Sequence, residues 1–176
     1  ELLETACLME VMSPKPGNVG PGKNFADASI EDFLKSARAI SPILAAGSPE
    51  FESNGPHPQG SVPSSPGHAV HHHGSRGLGD VILNAVQATR TVVQHNTNLG
   101  IILLLAPLAM VPREQTLSQG IAAVLSSTTV NDSRQVYEAI RIAQPTGLGQ
   151  TDEQDLCNEP TVDLVECMRL AADRDM

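Results

Sequence analysis

Leu99-Gly100-Ile101-Ile102-Leu103-Leu104-Leu105-Ala106-Pro107-Leu108-Ala109-Met110-Val111 carries no polar side chain at any position. A surface helix or a half-buried strand shows a polar face, so a run that is apolar on every side marks a buried central element. Periodicity does not separate helix from strand in such a run. Its length and the lack of β-branching after Ile102 favour a helix. Pro107 predicts a kink near its end. The run is too short to cross a bilayer, so no membrane partner is expected.

Working outward, the flanking segments also carry the helical period. Gly79 to Gln94 places Val81, Ile82, Ala85, Val86, Thr89, Val92 and Val93 on one face. Residues 1–12 have helical spacing through Leu2, Leu3, Ala6 and Met9, ended by Ser13-Pro14. Ser29 followed by Asp32 resembles a capping box, opening a helix with Phe33, Leu34, Ala37 and Ile40 on one face; Pro42 should kink or end it. Further helices are expected over Glu114–Ser127, Asp132–Ala143 and Thr161–Asp175. No segment sustains apolar–polar alternation. The expected fold is therefore all-α, a single-domain helical bundle over residues 1–176 with the apolar run as its buried central helix. The chain stops inside an apparent helix at Met176, as a C-terminally truncated fragment would. Residues 47–76 interrupt the pattern: 21 of these 30 positions are Gly, Pro, Ser or His. They read as a surface loop or disordered insert. His68 and His71 to His73 could hold a transition metal there, but no function is placed on them.

The chain has 176 residues, with 20 acidic against 11 basic side chains, a formal charge of −9 and a pI near 5.0. No Lys/Arg stripe exists to neutralise a phosphate backbone, which excludes a nucleic-acid partner. A small nucleotide complexed with Mg²⁺ stays compatible, because the metal offsets the field of the acids. Three Phe, one Tyr and no Trp leave an aliphatic core and little for stacking a base. Cys7, Cys157 and Cys167 have no CxxC spacing and read as reduced thiols of a cytoplasmic protein. A homo-oligomer is left open.

Three strings carry candidate chemistry. Ser13-Pro14-Lys15-Pro16-Gly17-Asn18-Val19 sets one lysine in a turn stiffened by two prolines, with Gly17 free to take a positive φ. Such a loop presents the Lys15 ammonium and nearby N–H groups to an anion at little ordering cost. His95-Asn96-Thr97-Asn98-Leu99-Gly100 falls between the amphipathic third helix and the apolar fourth. Its amides and hydroxyl either cap the helix or bind ribose hydroxyls or Mg²⁺, with the helix N-terminus aimed at an anion. Gly147-Leu148-Gly149 precedes Asp152, Glu153 and Asp155, which form a solvated acidic loop or a Mg²⁺ site.

Together these strings resemble the triphosphoribosyl-dephospho-CoA synthase family. The likeness runs through Glu10-Val11 to Val19, Asp27, Phe33-x-x-Ser36-Ala37, Asp80-x-x-Leu83-x-Ala85-Val86-x-Ala88-Thr89 and Asn96-Thr97-Asn98-Leu99-Gly100. Tyr137 to Asp175 looks like its continuation in a shorter, archaeal-type branch. Residues 47–76 lie outside the likeness. The resemblance implies an all-helical transferase in which a hydroxyl of dephospho-CoA attacks C1 of the ATP ribose and adenine leaves. It implies Lys15 and Gly17 at the triphosphate, and Asn96, Thr97, Asn98 and Gly100 lining the nucleotide site. Asp27 and Asp80 would be the catalytic carboxylates, Glu10 and Asp152 metal ligands, and Mg²⁺ would arrive with ATP. The chain departs from the family at Asn98-Leu99, where a His-Lys pair is usual. It departs again at Lys23 to Ala28, where only Asp27 of a Gly-Ala-His-x-Asp-Met stretch is kept. The lost cation gives the alternative its motive: a non-catalytic nucleotide-binding or accessory protein of cofactor biosynthesis.

Overall fold

The computed structural model describes residues 2–13, 28–47, 76–145 and 148–172. Among these residues there are seven helices and no strand. They are α1 Leu2–Met12, α2 Ile30–Ala46, α3 Leu78–Val92, α4 Leu99–Ala109, α5 Leu117–Ser126, α6 Val130–Ala143 and α7 Leu164–Ala172. Lys15, Gly17, Asp27, Gly147, Asp173 to Asp175 and residues 48–75 lie outside the described residues.

Helix α3 is the axis of the bundle, packed chiefly between α6 and α2, with α4 against its C-terminal part. Its buried face is Leu78, Val81, Ile82, Ala85, Val86 and Thr89, the stripe that the 3.6-residue period predicts. Small residues let the helices approach closely. Gly79 in α3 sits so near the start of α6 that a Cβ there would lie 2.6 Å from the Asp132 Cα. Ala139 and Ala143 continue that seam along α6. Helix α1 covers α2 from outside, and α7 covers α6.

The apolar run is helical as expected, but it buries one face rather than all of them. Leu99, Ile102 and Ala106 are in the core, whereas Leu104 is 64% exposed. The central position belongs to α3. Its two flanks are covered by α2 and α6, and the principal neighbours of α4 are α2, α3 and α5. Pro107 lies two residues from the end of α4.

Pro42 does not end α2, which runs four residues further to Ala46. Pro42 is on an exposed face, where a carbonyl left without its N–H partner can meet water. The predicted capping at Ser29 forms: its N–H and hydroxyl donate to Asp32 Oδ2 at 3.0 and 2.8 Å. Thr129 and Asp132 repeat this arrangement at the start of α6, with the Thr129 N–H and hydroxyl donating to Asp132 Oδ2 at 2.8 and 2.7 Å.

Candidate functional site

Polar side chains gather where the N-terminal half of α2, the C-terminal end of α3 and the start of α4 meet. The α3–α4 connection, Val93 to Asn98, crosses this corner. Ser36 Oγ in α2 lies 2.7 Å from Thr97 Oγ1, a buried hydroxyl pair that ties the connection to α2. The Thr89 hydroxyl in α3 points at Asn98 Oδ1, 3.1 Å away, and at Ala85 O at the same distance. Asn96 Oδ1 accepts the Leu99 N–H at 3.0 Å, so Asn96 serves the first turn of α4. Arg90 reaches over the exit of α3 to the Gln94 carbonyl.

Two nitrogens in this corner are buried without a hydrogen-bond partner among the described residues, Asn98 Nδ2 and His95 Nε2. Asn98 is only 6% exposed, and while its Oδ1 accepts from Thr89, its Nδ2 meets no acceptor among the described residues. Leaving such a donor unpaired costs about 1–3 kcal/mol. His95 Nε2 faces Asp32 Oδ2 at 3.8 Å, within ion-pair range but too far for a hydrogen bond. The donors from Ser29, its hydroxyl first, hold the Asp32 carboxyl below its ordinary range, with smaller help from His95 and Lys35. The first turn of α4 is open beside these groups. A Cβ built on Gly100 meets nothing within 4 Å.

The chain enters and leaves its segment 14–27 at this same end. Glu4 pairs with Arg38 at 3.4 Å, and Glu4, Thr5 and Leu8 share a hollow with Leu34 and Arg38, so α1 runs antiparallel to α2. Ser13 and Ala28, the described residues on either side of Lys15, Gly17 and Asp27, therefore end and begin helices whose tips lie together. Glu10 is in the last turn of α1, towards this end, and adds to the burial that pushes the Cys7 thiol up.

The corner thus gathers Asn96, Thr97, Asn98 and Gly100. Asp80 is elsewhere. It stands in the first turn of α3, nine residues and about 14 Å along the helix from Thr89, whose hydroxyl meets Asn98. There it lines a cavity of about 680 Å³ with Arg76, Asp132, Gln135 and residues of α5, and Gln135 Nε2 approaches its Oδ1 at 3.4 Å. Asp132 is 5% exposed and its oxygens are occupied, Oδ2 by Thr129 and Oδ1 by the Gly79 N–H at 2.8 Å. One carboxylate thereby caps two helices. Asp152 belongs to the loop before α7, at a shallow polar hollow with Thr151 and Glu153.

Among the described residues no three His, Cys, Asp or Glu side chains converge as a metal site. Mg²⁺ commonly takes only one or two protein carboxylates together with substrate phosphates. Reading the sequence missed the partnership of Asp32 with His95, because Asp32 announces itself only as a helix cap and His95 only as a loop residue. The signal available was their adjacency to recognised strings, His95 directly before Asn96-Thr97-Asn98. Ser36 and Thr89 were legible only as small polar residues on otherwise apolar faces.

No curated protein and no solved structure matches the chain. The family model described as CitG, ATP:dephospho-CoA triphosphoribosyl transferase, matches residues 1–176, the full length given. The chain thus belongs to the ATP:dephospho-CoA triphosphoribosyl transferase family.

Proposed function

We propose that this protein transfers the triphosphoribosyl group of ATP to a hydroxyl of dephospho-CoA and releases adenine, at the corner formed by α2, α3 and α4. The observation that carries the placement is the buried Nδ2 of Asn98, without a hydrogen-bond partner among the described residues, beside the open first turn of α4. A buried donor without a partner is a standing binding group, and a helix N-terminus next to it favours an anionic ligand. Asn96 and Thr97 complete the nucleotide-facing rim, with Gly100 leaving room for it.

Lys15 and the backbone at Gly17 hold the Mg²⁺-bound triphosphate in this reading. Support comes from Ser13 and Ala28, which bring both ends of that segment to the corner. Asp27, one residue before Ala28, and Glu10 are the carboxylates assigned to the metal in this reading. Asp80 and Asp152 stand outside the corner. Magnesium neutralises the triphosphate, while the protein's part is to hold the attacking oxygen in line with C1 of the ribose. The protein acts in the cytoplasm, where ATP is supplied.

Incubation with Mg²⁺-ATP and dephospho-CoA should release adenine, detected by chromatography, with formation of the triphosphoribosyl adduct. ATP binding by calorimetry without adenine release would overturn the transfer and favour an accessory nucleotide-binding protein. Lys15→Ala should weaken ATP binding about tenfold, the loss of a charge-assisted contact. Its melting temperature should change by no more than the equivalent of about 0.5 kcal/mol if the ammonium serves the ligand and not the fold.

A further inference from the structure

We propose that the first turn of α4 seats a phosphoryl group of a substrate on neutral N–H donors, and that Gly100 is the residue that keeps this seat open. Resting on the transfer reaction and placement just given, this adds a second phosphate holder to the one assigned to Lys15.

The cap of α4 faces away from its helix. An N-cap side chain ordinarily accepts an N–H from the first turn that follows it. Asn98 occupies that position and makes no such bond. Its Oδ1 accepts from the Thr89 hydroxyl at 3.1 Å instead. Asn96 Oδ1 takes the Leu99 N–H at 3.0 Å, which leaves the N–H groups of Gly100 and Ile101 without an acceptor among the described residues. Asn98 Nδ2 is a third donor without one, on a side chain only 6% exposed. Donors without acceptors thus gather at the positive end of an 11-residue helix, an arrangement that matches an anionic oxygen.

Nothing inside the fold calls for a glycine in this turn. Glycine in a helix is less stable than alanine, so its use needs a strained backbone or a close neighbour. The φ of Gly100 lies outside the left-handed region, and a Cβ built there meets nothing within 4 Å. The residue is exposed, so the turn is reachable from solvent. A side chain at position 100 would instead meet a ligand resting on the first-turn N–H groups. The turn carries no charged side chain, so the helix dipole and the N–H groups supply the attraction. The triphosphate of ATP and the diphosphate of dephospho-CoA both offer oxygens of the required kind.

The test is calorimetry of the full chain with Mg²⁺-ATP and, separately, with dephospho-CoA, alongside thermal melting of the ligand-free protein. Gly100→Asp supplies its own carboxylate to the free N–H groups, so the melting temperature should hold or rise. The affinity for the seated substrate should fall by about tenfold or more, the loss of charge-assisted contacts. Gly100→Ala should also hold or raise the melting temperature while weakening the same substrate, and it decides if Gly100→Asp misfolds. Asn98→Asp, which exchanges a donor for an acceptor of the same shape, should weaken that substrate as well. Weakening for ATP alone seats the triphosphate and for dephospho-CoA alone the diphosphate; either supports the site. Gly100 variants that bind both substrates within about threefold of the parent would overturn it and leave the transfer reaction standing. A melting temperature that falls together with affinity in Gly100→Ala would show a glycine serving the fold, and would overturn it too. A parent chain that binds a substrate but releases no adenine would overturn the reaction and not the seat.

Discussion

Asp32 shows how one side chain can serve a helix and a site together. Its carboxylate accepts the Ser29 N–H and hydroxyl at the start of α2 and turns the same oxygen towards His95. Because these donors favour the charged form, the folded-state pKa lies below the ordinary carboxylate value. The sign of the linkage follows. The stabilisation is present above the unfolded value of about 3.9 and is lost as pH falls through the lower folded value. Urea denaturation should therefore find Asp32→Asn less stable than the parent at pH 7, with the gap closing as pH falls below the unfolded carboxylate value. A gap that persists in acid would mean that the carboxylate charge contributes nothing. The capping role was legible in the Ser29-x-x-Asp32 spacing. The site role was not, because it depends on a contact across 63 positions of chain that no local pattern encodes.

At the level of the helix, pattern reading worked best where one face is apolar. The buried stripe of α3 matches its sequence period residue by residue. It worked least where every position is apolar, since α4 offers no polar side from which to tell the covered face from the open one. Ile102 is fully buried and Leu104 is largely exposed, yet both are aliphatic residues of one run. Ile102→Asp should cost more than about 4 kcal/mol by burying an unpaired charge, enough to prevent folding of a marginal domain. The contrast between Asp80 and Asp132 has a similar origin. Both stand in first helical turns, but only Asp132 joins two helices, holding the Gly79 N–H of α3 and the Thr129 N–H of α6. Asp132→Ala should destabilise by about 2–4 kcal/mol in urea denaturation, because it strands donors at two helix starts together. A loss below about 1 kcal/mol would show that water replaces the carboxylate there.

Across the whole molecule, α3 is the element that the others enclose. Its neighbours α2 and α6 lie far apart in sequence, so its packing depends on contacts that form only in the folded chain. Native-state hydrogen exchange should be slowest over Val81 to Thr89 and fastest in α1 and α7, which cover the bundle from one side each. Exchange in α1 as slow as in α3 would contradict this order. The all-helical class was legible from the absence of alternation and from the series of capped, periodic segments. Which end of α3 would gather the chemistry was not, because Asp80 and Asn98 are equally polar punctuation at the two ends of the same rod.

The lone amide of Asn98 bears on how the empty protein behaves. Where the described residues withhold water from a donor and give it no acceptor, a bound ligand can complete the fold. It will be most rigid only with the right guest in place, and filling the corner should raise the melting temperature well beyond what a superficial contact would give.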